Sequence, residues 1–144
     1  MKKTDKAEVY YEKAFGLNQS YPQLLKLYAS FLLEQKKYEK TLTIIENLKN
    51  QEKELFNYYV LKGRALYQGG RYADAVDTLL EANKIYDSDV TVLNTLGLSL
   101  VRIGEKEEAI KALSASLAII ADQTDIARLL KQLEEEVKND KKKK

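Results

Sequence analysis

Apolar residues recur along this chain at three- and four-residue steps, and short polar stretches interrupt them at regular intervals. Leu25, Tyr28, Ala29 and Leu32 make one such set, Tyr59, Gly63 and Leu66 a second, and Leu93, Leu96, Gly97 and Leu100 a third. Each is followed by a partner set: Leu42, Ile45 and Leu48; Ala75, Leu79 and Ala82; Ala109, Leu113 and Ser116. Steps of this length line up one face of an α-helix. The polar stretches EQKKYE, QGGRYA and IGEKEE separate the two members of each pair. The pattern therefore predicts helical hairpins whose two helices share an apolar stripe.

The hairpins also keep register with one another. Gly63 and Gly70 return 34 residues later as Gly97 and Gly104, and a fixed period of this size predicts stacked supersecondary units. Cuts at 22, 56 and 90 give three abutting units with no insertion, spanning 22–55, 56–89 and 90–123. A glycine inside a helix costs about 1 kcal/mol relative to alanine. At Gly97 that cost predicts a close helix–helix approach by Ala109 and Leu113, and at Gly104 a turn with positive φ. Ala7, Tyr11 and Ala14 stand one period before Thr41, Ile45 and Leu48, so 4–21 reads as the second half of a unit. Ile126, Leu129, Leu130, Leu133 and Val137 form a last stripe, and 124–137 reads as a capping helix with an acidic outer face. Residues 4–137 make a single domain on this reading, and 138–144 a basic disordered tail.

These residues resemble the tetratricopeptide repeat, whose pattern is a bulky residue, two residues, Leu-Gly, two residues, Tyr, and later Ala, three residues, Phe. Here it stands as Leu25, Tyr28-Ala29, Leu32, Thr41 and Ile45; as Tyr59, Lys62-Gly63, Leu66, Ala75 and Leu79; and as Leu93, Leu96-Gly97, Leu100, Ala109 and Leu113. Thr41 replaces the usual alanine and Lys62 the usual leucine. The resemblance implies an all-α, right-handed superhelical stack of helix-turn-helix hairpins: three full repeats, an N-terminal half repeat and a C-terminal capping helix. It also implies a concave groove lined by first helices. The residues carried onto that groove are Lys26, Ser30, Asn57, Val60, Arg64, Tyr67, Asn94, Leu98, Val101 and Arg102, with Leu33 beside them. Such a surface suits a peptide segment of a partner protein.

Relatives that clamp the C-terminal carboxylate of heat-shock chaperones use two lysines, two asparagines and an arginine. The matching residues here are Lys26, Ser30, Leu61, Thr91 and Thr95. Only Lys26 keeps the chemistry, so a chaperone-tail receptor is not expected.

Composition narrows the remaining classes. The chain has no histidine and no cysteine, which removes disulfides, thiol nucleophiles, the usual zinc ligands and the commonest general base. Glu107-Glu108 and Glu134 to Glu136 are adjacent in helices and so do not face one another. No enzyme, cofactor or metal site is expected. Net charge is +2, but the last seven residues carry five lysines and one aspartate, leaving about −2 for the body; this argues against a nucleic-acid partner. No apolar run approaches a membrane span, so direct insertion is not expected. The basic N-terminus lacks a signal segment, which favours the cytoplasm, with export only if a leader has been removed. The leading expectation is a non-catalytic adaptor or scaffold. The alternatives are a scaffold that self-associates into a homo-oligomer through exposed repeat ends, or a small chaperone for secretion substrates. A piece of a longer repeat protein would carry the same half unit.

Overall fold

The computed structural model describes residues 2–144, and among them every regular element is helical. Eight α-helices follow one another: α1 (Lys3–Leu17), α2 (Pro22–Glu34), α3 (Tyr38–Lys49), α4 (Leu55–Gln68), α5 (Tyr72–Ile85), α6 (Val90–Arg102), α7 (Lys106–Ile119) and α8 (Thr124–Lys142). A single 3-10 turn, Glu52–Glu54, leads into α4. Pro22 opens α2 at its first turn, where its missing N–H and fixed φ cost nothing. Asp89 caps α6, its carboxylate accepting the Val92 N–H at 2.9 Å.

Consecutive helices pack along the whole series, and the first helices also touch one another, α2 against α4 and α4 against α6. Two continuous apolar cores result. One lies among α2, α3 and α4 around Leu25, Tyr28, Leu32, Ile45 and Leu48; the other runs from α4 to α8 around Leu66, Leu79, Val92, Leu113 and Leu133. Within each hairpin the helices approach through the predicted small residues. A Cβ on Gly97 would lie 2.5 Å from Leu113 Cδ2 and 2.7 Å from its Cγ, and one on Gly63 would lie 2.4 and 2.6 Å from the same atoms of Leu79. Leu79 and Leu113 are both fully buried and have no room to withdraw. Thr41 keeps its place in this interface because its hydroxyl donates to the Lys37 carbonyl at 2.9 Å.

All three hairpin turns share one backbone solution. The residue two past the helix end takes a left-handed conformation, and paired bonds return to the last turn: Gly70 N–H to Tyr67 O and Arg71 N–H to Leu66 O, Gly104 N–H to Val101 O and Glu105 N–H to Leu100 O. This is the Schellman closure, and it favours glycine. In the first unit the same place is held by Lys36 at φ 58, with Lys36 N–H bonded to Leu33 O and Lys37 N–H to Leu32 O. An L side chain pays about 1 kcal/mol there that glycine does not.

At the two ends the structure departs from expectation in one respect. α8 continues to Lys142, so residues 138–142 are helical and not the disordered tail that their lysines suggest. Lys106 of α7 holds this extension through Glu136 and Asp140, each at 3.2 Å. Lys141 and Lys142 sit in the last turn, where cations favour the negative end of the helix dipole. At the other end, α1 docks through Tyr11, stacked on Tyr28 with ring centroids 5.1 Å apart. Charges support that contact. Lys40 reaches Glu8 at 2.7 Å and Glu12 at 2.6 Å, and Lys37 also pairs with Glu8. These lysines hold the Glu8 carboxyl below the usual carboxylate range.

Because Lys36 alone among the described residues carries the left-handed penalty, Lys36→Gly is expected to raise the melting midpoint by about 2–4 °C, and Gly70→Ala to lower it. Thermal unfolding followed by circular dichroism reads both; a fall on Lys36→Gly would show that the turn is not strained.

Candidate functional site

Nine of the ten groove residues lie in the interior of the first helices α2, α4 and α6, with Arg102 closing the last of them. They follow the repeat in rows. Lys26, Val60 and Asn94 make one row, and Ser30, Arg64 and Leu98 the next; all six are half-buried. Each row sits beside positions that are wholly buried, such as Leu25, Ala29, Ala65 and Leu93. The third row begins differently, for Leu33 is only 3% exposed and belongs to the core, while Tyr67 and Val101 are half-buried. Leu33 thus offers almost no surface, since it belongs to the same core as Tyr28 and Ile44.

Side-chain contacts divide these residues into three groups. At the first joint between units, Lys26 pairs with Glu54 Oε2 at 3.2 Å, and the Asn57 side-chain amide donates to the same oxygen at 2.9 Å. Glu54 carries no repeat-pattern signal, since it lies in the 3-10 turn that only the first joint possesses. At the far joint, Asn94 donates to Gln123 Oε1 at 2.7 Å, and the Gln123 amide donates in turn to Ser116 O, Ser116 Oγ and Ile120 O. Asn94 Oδ1 is buried without a partner. At the turn edge, Arg102 stacks its guanidinium 4.2 Å from the Tyr72 ring centroid, and Tyr67 meets the same ring at 5.7 Å. Arg102 and Tyr67 are therefore partly committed to Tyr72.

Ser30, Val60, Arg64, Leu98 and Val101 belong to none of these groups. Arg64 forms no ion pair among the described residues. It brings five N–H donors to the middle of the first-helix surface, beside a hydroxyl and two aliphatic side chains. This arrangement can receive a carbonyl or carboxylate and can pack an apolar side chain against Val60 and Leu98. It has no nucleophile–base pair, and the described residues contain no group of three His, Cys, Asp or Glu able to hold a metal ion. None of their helices is long and apolar enough to cross a membrane.

Clefts of 340 to 450 Å³ open elsewhere on the molecule, and none of the ten residues lines any of these five. Two of them lie between second helices. Lys62 explains the polar one: its ammonium lies 3.4 Å from the Tyr58 hydroxyl, which donates to Glu46 at 3.0 Å. Burial and the Glu46 carboxylate push the Tyr58 hydroxyl up to about 12.

Comparison with known proteins places this architecture. The family model described as anaphase-promoting complex, cyclosome, subunit 3 matches residues 1–82. A TPR repeat-containing protein of Methanocaldococcus jannaschii is 31% identical over 85 residues, 59% of this chain; the chain spans 15% of that relative's length. Among solved structures, MamA 41-end from Desulfovibrio magneticus RS-1 superposes with a TM-score of 0.81 at 18% identity, over 95% of this chain and 76% of that one. The first TPR of Spaghetti (RPAP3), bound to the HSP90 peptide SRMEEVD, gives a TM-score of 0.75 at 15% identity, over 81% of this chain and 92% of that one.

The joint that ends the first-helix surface depends on one amide. Gln123→Ala is expected to cost about 1–3 kcal/mol and to speed hydrogen exchange in the first two turns of α8. Unchanged exchange there would mean that apolar packing alone seats that helix.

Proposed function

This chain belongs to the tetratricopeptide-repeat family, and on that footing we propose that it is a non-catalytic interaction module holding a peptide segment of a partner protein against the first-helix surface. The observation that carries this reading is the pair of half-buried rows, Lys26–Val60–Asn94 and Ser30–Arg64–Leu98, repeated at the period of the fold. Three helices present them side by side, so an extended segment crossing the units meets a donor or an apolar contact at each step. The unpaired Arg64 favours a segment with an acidic or carbonyl-rich centre. The peptide-bound relative RPAP3 supports this use of the fold. Its ligand chemistry does not carry over: Leu61, where a carboxylate clamp would have a donor, is buried at 6% exposure.

Loss of partner binding in Arg64→Ala/Tyr67→Ala, with unchanged helical circular dichroism, is the expected result. Binding that persists in the double variant and after adding Arg102→Ala would place the partner elsewhere.

One observation favours a second reading, self-association through α1. Tyr10 is 71% exposed, whereas the matching residues one, two and three units on, Ile44, Thr78 and Ala112, are 5%, 8% and 8% exposed. Together with Ala7, Ala14 and Leu24, Tyr10 lines an apolar cleft of 380 Å³ between α1 and α2. Light scattering decides it: a mass that rises with concentration in the parent chain and stays monomeric in Tyr10→Lys supports α1 pairing, and a monomer throughout removes it.

A further inference from the structure

The two clefts between second helices have the same frame and opposite chemistry. Between α3 and α5 the lining includes Glu46, Lys62, Asp77 and Thr78. One unit on, between α5 and α7, those places become Leu80, Leu96, Lys111 and Ala112, and the cleft of 340 Å³ is floored by Leu93, Leu96 and Leu100. Leu80 is 43% exposed at its wall, where the matching residues of the other units are Glu46 and Ser114. Such exposure of a large aliphatic side chain costs hydrophobic stabilisation that a polar residue would not forfeit.

Two polar features mark the mouth. Asn83 Oδ1 is buried and has no hydrogen-bond partner. The charges around it are unequal: Glu108 pairs with Lys111 at 2.8 Å and Glu81 with Lys84 at 2.6 Å, which leaves Asp77 and Asp87 without an ion pair among the described residues. Asp87 lines the apolar cleft itself. Asp77 lines an adjoining one of 450 Å³ that shares Leu80 and Asn83 with it.

We propose that the α5–α7 cleft is a second binding site, which takes an aliphatic anchor side chain of a partner peptide followed by a lysine or arginine. The anchor fills the floor over Leu96 and Leu100, and a backbone N–H of the peptide donates to Asn83 Oδ1. The cation meets Asp77 and Asp87. An anionic lipid surface is disfavoured by those carboxylates. A second copy is disfavoured because its lysine-rich end, KNDKKKK, supplies charge without an apolar anchor. The site lies on the second-helix side and does not depend on the first-helix reading.

Titration of the full chain with N-acetyl-Leu-Arg-N-methylamide, followed by ¹H–¹⁵N correlation spectra, tests it. Saturable shifts are expected at Leu80, Asn83, Ala112 and Ala115. N-acetyl-Leu-Glu-N-methylamide and N-acetyl-Ser-Arg-N-methylamide should bind about tenfold or more weakly. Ala115→Lys, at an exposed position on the rim, should weaken the first probe by a similar factor, and Arg64→Ala should leave it unchanged. No saturable shift, equal binding of the acidic probe, or indifference to Ala115→Lys each overturns the proposal. So do concentration-dependent shifts at these amides without peptide, which would assign the cleft to a second copy.

Discussion

The close approach of the two helices in each hairpin sets the dimensions of everything else. Gly63 and Gly97 bring the first helix near enough for Leu79 and Leu113 to fill the space a Cβ would need. In the first unit Ala29 and Ile45 hold the same places, both fully buried. With that spacing fixed every 34 residues, α4 can touch both its own partner and the first helices on either side. Side chains on the remaining faces of the first helices are then neither core nor free surface. They become the half-buried rows that give the molecule a patterned side.

The repeat was legible because its signal is carried by burial at a fixed spacing. α2, α6 and α8 begin at Pro22, Val90 and Thr124, where the period puts unit boundaries, and α4 begins one residue early at Leu55. The features that escaped are those where one unit breaks the pattern. Lys36 adopts the glycine conformation without being glycine, so composition at the turn hides the shared geometry. Glu54 and Gln123 act from connections between units, and connections carry no helical periodicity. The lysine-rich end reads as repulsive in isolation, yet Lys106, more than thirty residues away, supplies the ion pairs that seat its helix. Helical phase alone puts Leu33 beside the groove, yet it is buried in the core among α2, α3 and α4.

The two sides of the stack divide the chemistry. The first-helix side offers a central arginine between two polar joints, which suits a segment gripped along its length. The second-helix side is polar where Lys62 and Glu46 stand and apolar one unit later, where Leu96 and Leu80 replace them. A repeat can vary these positions without disturbing the Gly–Leu contact, and so can change its recognition while keeping its frame.

The central claim is that a partner segment crosses the first-helix side. Photo-crosslinking from a benzoylphenylalanine placed at Val60, against the same residue placed at Thr43 on the exposed face of α3, tests it most directly. The account predicts a partner adduct from position 60, competed away by excess unlabelled chain, and none from position 43. Equal adducts from both positions, or an adduct from 43 alone, would contradict it.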